Sequence, residues 1–138
     1  MLKGKWKDIR FSSVWKSKAL IHEAQDDFLN AVAIIETSLD AEGVYNELLE
    51  IEKKLKKDPL FHFGPRTIDL DLLLYGQHTV KTADLTIPHT RMHERQFVLD
   101  PLCEIVDPDM NHPILHQSWK SFLENTQDQS CTKTSISL

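Results

Sequence analysis

The chain of 138 residues has few cysteines, no long apolar run and no excess of basic residues. Its two cysteines, Cys103 and Cys131, are far apart and not in a metal-ligand spacing, which argues against a disulfide framework and favours a reducing cytoplasm. No apolar run approaches the roughly 18 residues of a membrane span, and the N-terminus lacks the apolar core of a secretory signal. Because 16 basic residues stand against 21 acidic ones, we expect no broad nucleic-acid binding.

The composition that remains is that of a folded, soluble protein. Hydrophobic residues make up 41% of the chain and charged residues 27%, which is ordinary for a globular domain. The length predicts a single domain, which we place at residues 1–125. Residues 126–138 show no pattern and are predicted to form a disordered C-terminal tail.

Strand and helix patterns alternate along the first half of the chain. Residues 8–16, 28–38 and 67–75 are rich in apolar, aromatic or β-branched types and predict three strands. Between the second and third strands, Asp40 has the character of a helix N-cap and Pro59 ends the helix that follows.

The second half predicts shorter elements. After a turn at Gly76 and Gln77, residues 78–82 are suited to an edge strand that pairs back. A short helix is predicted at about 94–100, stopped by Pro101, and a last helix is predicted after a Ser118 cap. This interleaving favours a two-layer α/β or α+β sandwich.

Two aspartates interrupt the apolar third strand. Alternate residues of a strand share a face, so Asp69 and Asp71 are expected side by side, about 6.5–7 Å apart, opposite the core-facing leucines. Like charges this close need a positive partner, and hard carboxylate oxygens together with phosphate suit Mg²⁺. Arg66, just before the strand, offers a fork for phosphate. The alternative is a strand end whose aspartates simply face water.

A second polar segment, IPHTRMHER at residues 87–95, has a high density of cations and imidazoles: His89, Arg91, His93 and Arg95. Such a density suits a polyphosphate. The spacing of His89 and His93 also fits a zinc site, and a surface loop with incidental histidines is the third interpretation. The local sequence leaves all three open.

Taken together, these segments resemble a known family. FGPRTIDLDLLLYG (63–76) and IPHTRMHERQFVLDPLCEI (87–105) are similar to the signature segments of 6-hydroxymethyl-7,8-dihydropterin pyrophosphokinases, as are SSVWKS, QDDFLNAVAIIETSL and LLEIEKKL before them. The resemblance runs from about residue 8 to about residue 108. It implies a ferredoxin-like α/β sandwich of the α+β class, and transfer of pyrophosphate from ATP to the pterin in folate biosynthesis, with release of AMP.

The resemblance also implies a role for individual residues. Asp69 and Asp71 would hold two Mg²⁺ ions, and with Arg66 and Arg95 they would form the catalytic set. The ATP side would consist of Glu52, Lys57, His62, Arg66, His89 and Arg95. The pterin would be bound by Ser17, Leu20, Asn30, Phe63 and Phe97, with an amide hydrogen bond from Asn30 and ring stacking by Phe97.

The chain departs from the family in the loop after the helix. Where the family carries arginines and a tryptophan, this chain has Lys57, Pro59, His62 and Phe63. Lysine does not reproduce the bidentate geometry of a guanidinium, so we expect weaker ATP binding and a slower chemical step.

A second departure concerns the N-terminus. The family begins with a strand and a helix before the segment that SSVWKS resembles, and here that segment begins at Ser12. We expect an upstream segment or a partner chain to complete the sheet. The alternative is a decayed or repurposed relative that is impaired or non-catalytic and binds nucleotide or pterin, or serves an assembly role. ATP and the pterin are the expected partners, without nucleic acid or membrane.

Overall fold

The computed structural model describes residues 8–17, 28–57, 69–127, 129 and 131–136. Within them the chain alternates short strands with three α-helices, so the predicted α+β class is confirmed. In chain order the elements are β1 (Asp8–Phe11), β2 (Trp15–Ser17), β3 (Phe28–Asn30), β4 (Ala33–Glu36), α1 (Ala41–Lys57), β5 (Val80–Lys81), β6 (Thr86–Ile87), a 3₁₀ helix (Met92–Glu94), α2 (Gln96–Ile105), α3 (Trp119–Asn125) and β7 (Cys131–Lys133). No helix in these ranges is long and apolar enough to cross a membrane.

Each of the first two predicted strands is divided in two by an irregularity in their pairing. β1 pairs antiparallel with β4 and ends at Phe11 opposite Ala33, whereas β2 pairs antiparallel with β3 and begins at Trp15 opposite Asn30. Three residues on one side therefore face two on the other, which is the arrangement of a β-bulge. The prediction of two uninterrupted strands was wrong here, because an inserted residue leaves the apolar pattern almost unchanged.

Ser12 holds this bulge together. Its backbone N–H donates to the Val32 carbonyl at 2.8 Å, and its hydroxyl accepts from the Val32 N–H at 2.9 Å. The side chain thus takes the place of a missing backbone acceptor in the ladder. Ser12 is only 4% exposed, so an unpaired amide here would be costly.

Helix α1 forms as predicted. The Asp40 carboxylate accepts a hydrogen bond from the Gly43 N–H at 2.8 Å, which satisfies one of the free amides of the first turn. Val44 and Ile51 are apolar residues seven positions apart, on one face of the helix, and both are 2% exposed. The helix ends at Lys57, and Pro59 lies outside the described residues.

The third predicted strand, 67–75, is not formed in the part that is described. Residues 69–75 belong to no strand, and their backbone is held by other contacts, such as the hydrogen bond from the His89 N–H to the Leu73 carbonyl at 2.9 Å. The turn at Gly76 is present, with a positive φ of 56° that suits glycine. The strand beyond it, β5, pairs with β6 rather than back onto residues 69–75.

The main core lies between α2, α3 and the 3₁₀ helix, which together bury Met92, Leu99, Leu102, Trp119 and Phe122. Pro101 was predicted to stop α2 but lies inside it. The loss of one helical hydrogen bond is tolerated here, because Pro101 is buried with the leucines that flank it and helps to fill the core. At the start of α3, the Ser118 hydroxyl accepts from the Ser121 N–H at 3.1 Å, so the predicted cap is confirmed.

The C-terminal segment differs from the expectation of a tail without structure. β7 pairs antiparallel with β2, with Cys131 opposite Ser17 and Lys133 opposite Trp15. The Thr134 N–H then donates to the Val14 carbonyl at 2.9 Å. The sequence of this segment has no apolar alternation that would predict a strand. The strand forms because the segment pairs with the edge of β2. β2 is thereby the middle strand of the order β3–β2–β7.

Candidate functional site

The two predicted metal-binding aspartates are exposed on a segment that alternates as expected. Asp69 and Asp71 face solvent, and Leu70 and Leu72 are half-buried. The Asp69 side chain is 71% exposed, so its oxygens are open to a ligand. Burial therefore alternates over residues 69–72 as expected but not beyond them, because Leu73 and Leu74 both pack against the main core.

Glu52 fixes the peptide between the aspartates. Its Oε2 accepts a hydrogen bond from the Leu70 N–H at 2.7 Å, across 18 positions of sequence. A charge-assisted bond of this length is among the stronger ones in proteins. The residue that we expected beside the nucleotide thus contacts the aspartate segment directly.

Lys56 is the cation nearest to this acidic group among the described residues, and sequence reasoning missed it. Its Nζ lies 3.1 Å from the Glu52 Oε1 and 4.0 Å from the Asp69 Oδ1. The i, i+4 spacing from Glu52 on a helix was the available signal. With a side chain that is 42% exposed, Lys56 only partly offsets the repulsion among three carboxylates.

The aspartate segment suits a Mg²⁺ site that substrate phosphates complete, rather than a metal site made wholly of protein ligands. Across the described ranges, no group of three or more histidine, cysteine, aspartate or glutamate side chains is placed to hold a metal ion. Two open carboxylates without a third ligand are what Mg²⁺ uses when substrate phosphates complete its shell. The zinc alternative through His89 and His93 finds no third ligand in the same ranges.

His93 packs against the core instead. Its ring lies edge-on to Phe122, with centroids 5.3 Å apart, and to His112 at 5.7 Å. Burial, with His93 and His116 nearby, lowers the pKa of His112, whose Nδ1 accepts two backbone N–H bonds, from Ile114 and Leu115. Both imidazoles thus pack as part of the aromatic cluster.

His89 and Arg95 lie before and after His93 in the sequence. His89 is tied by its backbone to Leu73, two residues beyond Asp71, so it belongs to the aspartate side. Arg95 precedes α2, and its guanidinium carbon lies 5.6 Å from the centre of the Phe97 ring. The residue predicted to contact phosphate and the residue predicted to stack on the pterin are therefore neighbours.

Asn30 and Ser17 lie on adjacent strands. β3 ends at Asn30, opposite Trp15, while Ser17 faces Phe28 at the other end of the pairing. Ser17 is 9% exposed and Asn30 is half-buried. Helix α2, which carries Phe97, packs against both strands, so the three predicted pterin residues that the structure describes share one part of the molecule.

Glu104 anchors this part, and sequence reasoning gave it no role. Its carboxylate accepts hydrogen bonds from the Trp15 indole N–H at 2.6 Å and from the Ser13 hydroxyl and N–H at 2.9 and 3.1 Å, and it lies 3.6 Å from the Lys133 Nζ. Burial by itself would raise the pKa of Glu104, but these hydrogen bonds, aided by Lys133, lower it below its ordinary value. The Glu104 side chain thus joins α2 to Ser13 in the bulge and to Trp15 at the start of β2.

Several predicted site residues lie outside the described part of the chain: Leu20, His62, Phe63 and Arg66. Lys57 is the last residue of α1, and its side chain is likewise not described. Their roles, and the weakened loop that we expected around them, stay predictions.

Comparison with known proteins points in one direction. A family model described as 7,8-dihydro-6-hydroxymethylpterin-pyrophosphokinase matches residues 1–107. The chain is 42% identical over 116 residues to the 2-amino-4-hydroxy-6-hydroxymethyldihydropteridine pyrophosphokinase of Haemophilus influenzae, covering 83% of this chain and 72% of that protein. The protein of the same name from Aquifex aeolicus is 37% identical over 123 residues, which is 88% of this chain and 76% of that protein.

A third relative is much longer. The folic acid synthesis protein fol1 of Pneumocystis carinii is 39% identical over 122 residues, or 88% of this chain, but the match spans only 16% of that protein. The chain thus corresponds to most of the two bacterial relatives and to a small part of the fungal one.

Proposed function

The chain belongs to the 7,8-dihydro-6-hydroxymethylpterin-pyrophosphokinase family, and from this premise we propose that it transfers pyrophosphate from ATP to 6-hydroxymethyl-7,8-dihydropterin and releases AMP. This is a step of folate biosynthesis. The observation that carries the proposal is the pair of open carboxylates, Asp69 and Asp71, on a peptide held by Glu52. The arrangement suits a magnesium-bound polyphosphate, the co-substrate that such a transfer requires.

Asp69 and Asp71 would hold two Mg²⁺ ions. The ions supply neutralisation of the phosphate charge and alignment of the transferred group. Glu52 keeps the two carboxylates on one side of the segment through the Leu70 N–H. Lys56 relieves part of the repulsion among the carboxylates before the nucleotide arrives.

His89 and Arg95 would contact the phosphates of ATP. The Arg95 guanidinium has five N–H donors and keeps its charge at any working pH, so it can bind two phosphate oxygens at once. Lys57, His62 and Arg66 are proposed to complete this side. Transfer then depends on holding the pterin hydroxyl in line with the β-phosphorus, which is a matter of positioning more than of proton chemistry.

The pterin would be bound between the strands and α2. Asn30 can both donate to and accept from the edge of a pterin, and Phe97 offers an aromatic face for stacking. Ser17 contributes from the adjacent strand. Leu20 and Phe63 are proposed to line the remaining walls of this pocket.

The direct test is release of AMP from ATP by the purified protein, with the pterin and Mg²⁺ present. We expect turnover in the wild type and none in Asp69→Ala. Asp84→Ala, which removes another exposed aspartate, near β6, should retain full activity. Wild-type AMP release no greater than that of Asp69→Ala would exclude the enzyme, and calorimetric binding of ATP or pterin without turnover would then favour the non-catalytic alternative.

Three further expectations stay proposals. We propose the cytoplasm as the compartment, and a partner chain as the source of a further strand. We also propose that ATP and the pterin are the ligands, without nucleic acid. Sedimentation of the purified chain would reveal a second copy as a change in mass.

A further inference from the structure

The side chain of Gln129 makes hydrogen bonds on both sides of Arg95. Its Oε1 accepts from the Gln96 N–H at 3.0 Å, and its Nε2 donates to the Glu94 carbonyl at 2.9 Å. One amide therefore grips the residue before and the residue after the arginine. Because each bond is to the backbone, the grip limits rotation of the chain at Arg95 itself.

The start of α2 needs such a partner. Arg95 occupies the N-cap position with φ −118° and ψ 111°, and its side chain makes no capping hydrogen bond. A guanidinium has only donors, so it cannot accept from the free amides of the first helical turn. Gln129 supplies the missing acceptor from 33 residues away. The Arg95 side chain takes no part in the cap and lies over the Phe97 ring instead.

Gln129 is itself held on both sides. Its N–H donates to the Thr126 carbonyl at 3.1 Å, and Thr126 is 5% exposed and bonded through its hydroxyl to the end of α3. Two residues after Gln129, β7 begins and pairs with β2. The backbone at Gln129 is thus already fixed, so only side-chain freedom is lost when the amide makes its two bonds.

We propose that Gln129 is a positioning residue for the transfer reaction, which holds the Arg95 backbone so that the guanidinium reaches phosphate. The inference rests on the proposed function. Gln129 lies beyond residues 1–107, which the family model matches, so the role belongs to the C-terminal segment of this chain. β7 would serve the same end by fastening that segment to the strand that carries Ser17.

The first test compares AMP release by three variants. Gln129→Met keeps the length of the side chain but removes both hydrogen bonds, and we expect kcat to fall about tenfold. Gln129→Glu keeps an acceptor for the Gln96 N–H and should lose less. Gln127→Met is the matched control, because Gln127 is exposed and its side chain, among the described residues, bonds only to the Leu123 carbonyl in α3. Equal activity of Gln129→Met and Gln127→Met would overturn the proposal.

The second test asks whether Gln129 acts through the arginine. In an Arg95→Ala background, Gln129→Met should change kcat by less than about twofold, because the group that it positions is gone. The same tenfold factor in both backgrounds would mean that Gln129 supports the fold alone, and the proposal would fail.

A third measurement does not depend on activity. Hydrogen exchange of the Gln96 amide should be faster in Gln129→Met than in the wild type and unchanged in Gln127→Met, since only the first variant loses the acceptor. If the wild type releases no AMP, the proposed function fails, whereas the exchange rates still decide whether Gln129 holds this peptide. An unchanged exchange rate of the Gln96 amide in Gln129→Met would show that Gln129 does not hold this peptide.

Discussion

The segments 69–71 and 94–97 are held in the same way but in different surroundings. In each, one side chain from a distant element bonds to a peptide that lies next to predicted site residues: Glu52 for the first and Gln129 for the second. Glu52 is an anion that lies beside two aspartates, whereas Gln129 is a neutral amide that lies beside an arginine. The first segment therefore brings carboxylates together, and the second places an uncharged side chain beside a cation.

Burial separates the two segments further. Residues 94–97 are flanked in sequence by the core residues Met92 and Leu99, both 0% exposed, and Gln96 among them is 5% exposed. Asp69 and Asp71 face solvent, and only their leucine neighbours are half-buried. The comparison indicates that the aspartate segment is open to solvent, whereas the peptide around Gln96 is packed next to the core. The four predictions below test that division, in order of decreasing effect.

Asp71→Ala should have the largest effect, and only on activity. We expect AMP release to fall by about a thousandfold or more, because a metal ligand contributes several kcal/mol to the transition state. The melting temperature should stay the same or rise, since the change relieves a like-charge pair. A large drop in melting temperature without metal would contradict the division, and Asp84→Ala provides the control for both measurements.

Trp119→Ala tests the core beneath the other segment. The side chain is 1% exposed and packs against Phe122 and His112, so we expect a loss of about 3–5 kcal/mol in the free energy of unfolding. Urea denaturation followed by circular dichroism measures it. Met110→Ala, at a position that is 44% exposed, should cost far less, and equal losses would show that this core is not the main support.

Glu52 allows the hydrogen bond to be separated from the charge. Glu52→Ala leaves the Leu70 N–H without its acceptor, and we expect AMP release to fall about tenfold. Glu52→Gln keeps an acceptor and removes the charge, so it should stay within about threefold of the wild type. If the two variants lose activity equally, the charge matters more than the bond, and the parallel with Gln129 breaks down.

Glu104→Gln should have the smallest effect, and it should depend on pH. The pKa of Glu104 is lowered in the fold, so its ionised form contributes stability that is complete above the ordinary value of 4.5 and is lost as pH falls through the lower folded value. We expect a cost of about 1 kcal/mol at pH 7 that shrinks toward zero in acid. Chemical denaturation across that range measures it, and a cost independent of pH would mean that shape rather than charge anchors Ser13 and Trp15.

The structure bears out local features of the sequence and revises the longer ones. The caps at Asp40 and Ser118 were predictable because each bonds an amide three residues away. The alternation at Asp69 and Asp71 was predictable because a two-residue period needs no knowledge of the partner. The bulge at Ser12 and the helical Pro101 were not, since each is decided by what packs or pairs against it.

The site divides in the same way. The residue types for a magnesium-bound phosphate and a flat heterocycle were visible along the chain, and the family resemblance assigned their roles, which remain proposals. The side chains that bond to the peptides next to these residues could not be predicted from the sequence. Glu52 reaches Leu70 across 18 positions, Gln129 reaches Gln96 across 33 and Glu104 reaches Ser13 across 91.

The sequence by itself determined the α+β class, the helix caps, the family and the outward direction of the two aspartates. Tertiary structure alone decided which side chain steadies each functional peptide, where the strands break and that the C-terminal segment joins β2. The physical reason is range. Caps and alternation act within a few residues and leave a period in the sequence, whereas a hydrogen bond between distant residues leaves none and exists only once the core has brought them together.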